Sequence, residues 1–202
     1  MKKYFLVLVI AILATGMYAI EPITWEGSFS VKKNKGAVAT YCINWDNTRC
    51  GEIEDGRFVH GSTPLKQWLA AEDKKMISEG KKDEANHVKR WPETCNEVSR
   101  YFKEEWNDTF AKNGLRLTND DSEAQYHLEI AIEGIYFGSM EEAFDWGNTG
   151  AIIVGHADLT ERSTGKCLTR FNLNHVRGSG HITERFRILL VFHELVEAIE
   201  EL

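Results

Sequence analysis

Thr183–Leu202, TERFRILLVFHELVEAIEEL, is the stretch from which the architecture of this chain is read. Ile188, Phe192, Leu195, Ile199 and Leu202 recur at steps of four and three, the spacing that lines one face of an α-helix. Leu189, Val191, Val196 and Ala198 widen that stripe to roughly half the circumference, more than a lone surface helix leaves in water. Such a helix needs a sheet to cover. Thr183 is placed to cap its N-terminus, and Glu184 in the first turn suits the helix dipole.

The same stretch contains HELVE, His193–Glu197. It resembles the zinc-peptidase signature His-Glu-x-x-His, in which two imidazoles one turn apart hold the metal and the Glu activates water. Here Glu197 stands where the second imidazole is required. The pair lies opposite the apolar stripe with Glu194, Glu200 and Glu201, and no downstream motif supplies a third ligand. The expectation is a solvated acidic face, with no catalytic residue, no metal site and no cofactor. A hydrolase using His193, Glu194 and Glu197, with His181 or His156 in support, is the weakest alternative.

Residues 1–19, MKKYFLVLVIAILATGMYA, have the pattern of a secretory signal peptide: Lys2 and Lys3, an apolar run from Tyr4 to Leu13, then small residues, with cleavage after Ala19 or Gly16. The run is short for a membrane span. No cysteine precedes Cys42, so lipid attachment at a processed N-terminus is not indicated. Residues 20–202 read as a single exported domain, periplasmic or secreted, with no stable membrane anchor after cleavage. With 24 Lys and Arg against 31 Asp and Glu, the formal net charge is −7. That balance argues against nucleic acid and anionic lipid as partners. Four cysteines, Cys42, Cys50, Cys95 and Cys167, permit two disulfides in an oxidising compartment, with three connectivities open. Cys42 with Cys50 would close a short loop around Trp45 and Asp46, whereas Cys95 fits equally well as an inert core thiol.

Along the chain, Thr24–Val31 and Ala37–Trp45 are expected as strands joined in a hairpin by KKNKG, and Asp46–Ser62 as loop with a short extended piece at Arg57–His60. Pro64–Ser78 forms a helix, with Leu65, Trp68 and Leu69 inward. A second helix runs from near Pro92 to Asn113 on the stripe Cys95, Val98, Phe102, Trp106 and Phe110, stopping at Asn113-Gly114. It is expected to lie beside the C-terminal helix. Leu115–Thr118 is a short strand. Tyr126–Phe137 alternates cleanly, Leu128, Ile130 and Ile132 against Glu129 and Glu133, so one face of its sheet meets water. Ser139–Gly150 is a long connection carrying Phe144 and Trp146, which are candidate binding residues. Ala151–Thr160 and Cys167–Val176 form a hairpin, and RGSGH leads into the last helix; Gly-x-Gly beside an arginine at a helix start is a weak anion-cradle signal. The fold class expected is α+β, a two-layer sandwich of mainly antiparallel sheet with helices on one face.

From Tyr126 onward, and most clearly in Leu159–Leu168 (LTERSTGKCL) and Gly178–Gly180, the chain resembles uncharacterised exported α/β proteins of Gram-negative bacteria. Their domain is similar to that of curli-export lipoproteins and penicillin-binding-protein activators. The resemblance covers the last third of the chain and extends to the helix at Pro92–Asn113. It implies an envelope role through protein contacts and supplies no catalytic residue; the lipid-attachment cysteine of the lipoprotein members is missing. The leading functional expectation is therefore a non-enzymatic module that binds an envelope or extracellular protein. The alternative is a small-molecule binder using the 139–150 loop.

Overall fold

The computed structural model describes residues 21–54, 57–138, 150–179 and 184–202, with side chains in the last segment from Phe186 onward. The expected signal peptide lies outside the described residues. In chain order the elements are β1 (Ile23–Gly27), β2 (Val38–Asn44), β3 (Arg49–Glu54), β4 (Arg57–Pro64), α1 (Leu65–Ser78), α2 (His87–Phe110), β5 (Arg116–Leu117), β6 (Tyr126–Tyr136), β7 (Ile152–Glu161), β8 (Cys167–Arg177) and α3 (Glu184–Glu201). The strands form one eight-stranded sheet in the order β1-β8-β7-β6-β2-β5, and β3 branches from β6 to carry β4.

β6 is the spine. Along one edge it pairs antiparallel with β7 from Tyr126↔Glu161 to Tyr136↔Ile152. Its other edge is divided: β2 runs parallel to the first half, Ala39↔Tyr126 through Asn44↔Ala131, and β3 meets the far end at Arg49↔Gly134 and Cys50↔Ile135. The α+β class holds, but the sheet is mixed and not mainly antiparallel, since β2–β5, β2–β6 and β3–β6 are all parallel. The physical reason is the route of the chain. Parallel neighbours need a long crossover between them, and the two helices between β2 and β6 supply one. Alternation along β6 reports which side chains it buries, not the direction of its neighbours.

Two further expectations are corrected. The first two strands do not form a hairpin: β1 pairs with β8, Ile23↔Leu173 through Gly27↔Thr169, while β2 goes to β6. Residues 46–62, expected as loop apart from an extended piece at Arg57–His60, contain β3 and most of β4, which pair antiparallel; the extended piece is the first half of β4, and β3 is the strand outside that expectation. Only the first two residues of β3 reach β6, so the hairpin lacks the apolar alternation of a core strand. This topology also separates two cysteines. Cys42 faces Glu129 and Cys50 faces Ile135 on the same strand, a separation of about 20 Å at ~3.3 Å per residue, well beyond disulfide reach. None of the four cysteines is in a disulfide.

The core forms where the apolar stripes of α2 and α3 meet the sheet. Val98, Phe102, Trp106 and Phe110 of α2 are buried, as are Ile188, Phe192, Leu195 and Ile199 of α3. Phe192 lies edge-on to Phe102 at 5.9 Å and to Trp45, just past β2, at 6.0 Å. The Tyr41 hydroxyl donates to Ser99 O at 2.9 Å, tying β2 to α2. Asn107 acts as a substitute strand: its Nδ2 donates to Leu117 O at 3.0 Å and its Oδ1 accepts from Leu117 N at 2.7 Å, which closes off the two-residue β5. At the turn out of α2, a Cβ on Gly114 would stand 2.0 Å from Val31 O, so only glycine lets these backbones meet.

α2 begins at His87, five residues before the expected start at Pro92. Its opening amides are capped from another helix. Asp73 of α1 accepts from His87 N at 2.7 Å and Val88 N at 3.2 Å, and its Oδ1 lies 2.8 Å from the His87 ring Nδ1. Burial works to raise the Asp73 pKa, but these hydrogen bonds and the neighbouring imidazole hold it below the ordinary value. No local N-cap bond exists at Asn86. A cap supplied by a residue fourteen positions away leaves no local sequence signal.

Replacing Phe192 with Ala is expected to cost ~3–5 kcal/mol in denaturant unfolding, as a cavity in a buried aromatic cluster. Asp73→Ala is expected to cost ~1–2 kcal/mol, the value of a helix cap. Because the Asp73 pKa is depressed on folding, that difference should shrink as acid protonates the carboxylate and should be full at neutral pH.

Candidate functional site

The period of two assigns the side chains of the sheet to two faces. Tyr41 and Trp45 turn toward α2 and α3, as their ring contacts with Phe102 and Phe192 show. Register then places Cys42, Asn44, Glu129, Ala131, His156, Asp158, Arg170 and Asn172 on the other face. That face is polar. Arg170 grips Asp158 with two bonds, Nε to Oδ1 at 2.7 Å and Nη2 to Oδ2 at 2.5 Å. Hydrogen bonding to Asp158, reinforced by its charge, raises the guanidinium pKa further. His156 Nδ1 lies 3.0 Å from Glu133 Oε1, and Asn44 Nδ2 donates to Glu129 Oε1 at 3.0 Å.

The β3–β4 hairpin gives this face a wall. Phe58 lies over Gly134 of β6, where a Cβ would stand 2.6 Å from its Cζ, and its ring is edge-on to His60 at 5.0 Å. A groove of about 460 Å³ results, with Phe58 and His60 at its side and Glu133, His156, Arg170, Asn172 and Asn174 among its lining residues. Bulges at Ile132/Gly134 of β6 and Ile153/Gly155 of β7 lie at the groove; such irregularities re-aim side chains at the sites they border.

On the same face Cys42 Sγ lies 3.5 Å from His127 Nε2, and Thr40 Oγ1 lies 2.9 Å from His127 Nδ1. A thiol beside an imidazole is the geometry of a nucleophile and its base. Here burial, then the Glu129 carboxylate, push the Cys42 pKa up. The neutral thiol is therefore favoured at pH 7, and a neutral thiol is a poor nucleophile.

HELVE forms a polar seam between helices. His193 Nδ1 is 2.9 Å from Glu105 Oε2 of α2, and its Nε2 is 3.3 Å from Glu197 Oε1. Glu197 is solvated as expected, but the imidazole reaches a second carboxylate on α2 that periodicity alone does not reveal. The hydrogen bond to Glu105 is the main cause raising the His193 pKa; desolvation opposes it, and the charges of Glu197, Glu105 and Glu194 add to it. The Tyr101 phenol is held above its usual pKa by burial and by Glu105. His156, the supporting residue in the hydrolase alternative, lies on the opposite sheet face and cannot join His193. Among the described residues no group of three or more His, Cys, Asp and Glu side chains is arranged to hold a metal ion. His181, Phe144 and Trp146 lie outside the described residues.

The groove residues Phe58 and His60 lie in the short extended piece expected at Arg57–His60, which is part of β4, but nothing local marked its pairing with β3. Arg170, Asn172 and Asn174 carried a visible signal, polar residues at every second position of β8, but nothing in the sequence placed the β3–β4 hairpin beside them.

No family model matches the chain, and no curated protein matches it. Among solved structures it is similar to PelC from Paraburkholderia phytofirmans, in a dodecamer, at 11% identity and a TM-score of 0.41 over 86% of this chain and 96% of that one. A point variant of the same dodecamer gives 8% and 0.42 over 88% and 96%. A DUF330 protein from Xanthomonas campestris gives 13% and 0.32 over 84% and 90%. Similarity at this level carries no functional conclusion, and the expected likeness to curli-export lipoproteins and penicillin-binding-protein activators is not shown. Among the described residues no helix is long and apolar enough to cross a membrane.

The raised His193 pKa fixes the sign of a pH effect. A His whose folded pKa exceeds the unfolded value contributes stability that is complete below pH 6.5 and is lost as pH rises through the folded value. His193→Gln is therefore expected to lower Tm most at about pH 5.5 and least at about pH 8.5, by thermal unfolding followed with circular dichroism.

Proposed function

We propose that the protein is an exported, non-enzymatic accessory domain that engages a protein partner in the envelope or outside the cell through the polar face of its sheet. In this reading the helices form one layer against the apolar face and leave the other open. The observation that carries it is the groove beneath Phe58 and His60, which combines a small aromatic wall with the amides of Asn172 and Asn174. A concave site with a few convergent polar groups is the usual form of a recognition site. The polar side chains on this face engage one another, Arg170 in an ion pair with Asp158 and the His156 ring against the Glu133 carboxylate. Pairs of this kind hold side chains in position for recognition, and the thiol nearby favours its unreactive form. The net charge of −7 points to a partner that is not itself strongly acidic.

A photo-crosslinking residue at position 172, compared with one at Glu104 on the exposed side of α2, tests this in the producing cell. The expected outcome is a defined protein adduct from position 172, absent from position 104 and abolished when His60→Trp fills the groove. Adducts from position 104 alone, or from neither position, would overturn it.

A further inference from the structure

Arg187 differs from the other charged side chains. It is 5% exposed, and its Nε and Nη1 are closed off from solvent without a hydrogen-bond partner. A guanidinium offers five donors and no acceptor, so a buried one calls for acceptors around it. An isolated buried charge is strongly unfavourable until an opposite charge meets it.

Its position defines where that charge would sit. Arg187 is the fourth residue of the eighteen-residue α3. The amides of the opening turn have no intrahelical acceptor, and helical side chains lean toward the N-terminus, so the guanidinium and the amides point the same way. One turn further along, a Cβ on Gly178 would stand 2.6 Å from Val191 N, and one on Gly150 would stand 1.5 Å from Gly178 O. Gly178 N donates to Ala151 O at 2.9 Å. Gly178 therefore brings bare backbone against α3 one turn past Arg187, with Gly150 packed on Gly178 in turn, and no carboxylate among the described residues pairs with Arg187.

We infer that Arg187 anchors an oxyanion site at the amino end of α3, taking the phosphate or carboxylate group of a ligand. The planar fork of the guanidinium suits either group, and the helix terminus favours negative charge. The site lies on the helix side of the sheet, away from the groove, and stands independently of the proposed function.

The test follows thermal unfolding and the Arg187 Nε–Hε NMR signal during titration with inorganic phosphate and, separately, with acetate, at ionic strength fixed with chloride. In the wild-type protein one of these anions, at up to about 20 mM, should raise Tm by roughly 2 °C or more and shift the Arg187 signal. Arg187→Met should remove the Tm response and be at least as stable as wild type without added anion, having lost a buried unpaired charge. A response to phosphate assigns a phosphate-bearing ligand, and a response to acetate assigns a carboxylate. Equal Tm responses in both proteins, or a wild-type Arg187 signal moved by neither anion, would overturn the site. The wild-type NMR result decides the question even if Arg187→Met does not fold.

Discussion

The aromatic contact of Phe192 with Phe102 and Trp45 is the constraint on which the rest of the molecule depends. It joins the last helix, the long middle helix and the residue just past β2 in one aromatic cluster, and so fixes which face of the sheet is covered. Once that is fixed, the pleat of the strands sends every second side chain to the other face. The polar residues there follow from the packing beneath them. Trp106, fully buried yet donating its indole N–H to Leu115 O at 2.8 Å, extends the cluster to the turn that starts β5 without leaving a polar atom unsatisfied.

An imidazole resting against a carboxylate recurs in this molecule. His193 bridges two carboxylates, His87 lies beside the carboxylate that caps its own helix, and His156 rests on Glu133. In each case an imidazole is given a carboxylate, and among the described residues none of the three belongs to a group arranged to hold a metal ion. Such pairs orient side chains and couple helices. Arg187 is the contrast, a buried cation whose Nε and Nη1 have no hydrogen-bond partner.

Much of the fold was legible in the chain. The stripes of α2 and α3 and the alternation of β6 were plain because each element buries one face against a single core, which imposes its period on the residues. Other features were not legible because their causes are not local. The Asp73 cap comes from the preceding helix. β3 and β4 are held mostly to each other, so their sequence lacks a core pattern. Strand direction at β2 and β3 depends on the crossover path. Of the candidate site, Arg170, Asn172 and Glu133 were readable as one polar face, whereas the hairpin that turns the face into a groove was not. Arg187 sits four residues before Val191 on the flank of the apolar stripe, and that spacing was the available sign of its burial.

The central claim, that α2 and α3 lock together over β2 through one aromatic cluster, is tested most directly by a double-mutant cycle between Phe102 and Phe192. The account predicts that the two alanine substitutions are coupled, with an interaction energy of ~0.5–1.5 kcal/mol in denaturant unfolding. Additivity within ~0.3 kcal/mol would contradict it, because rings in direct contact cannot be removed independently.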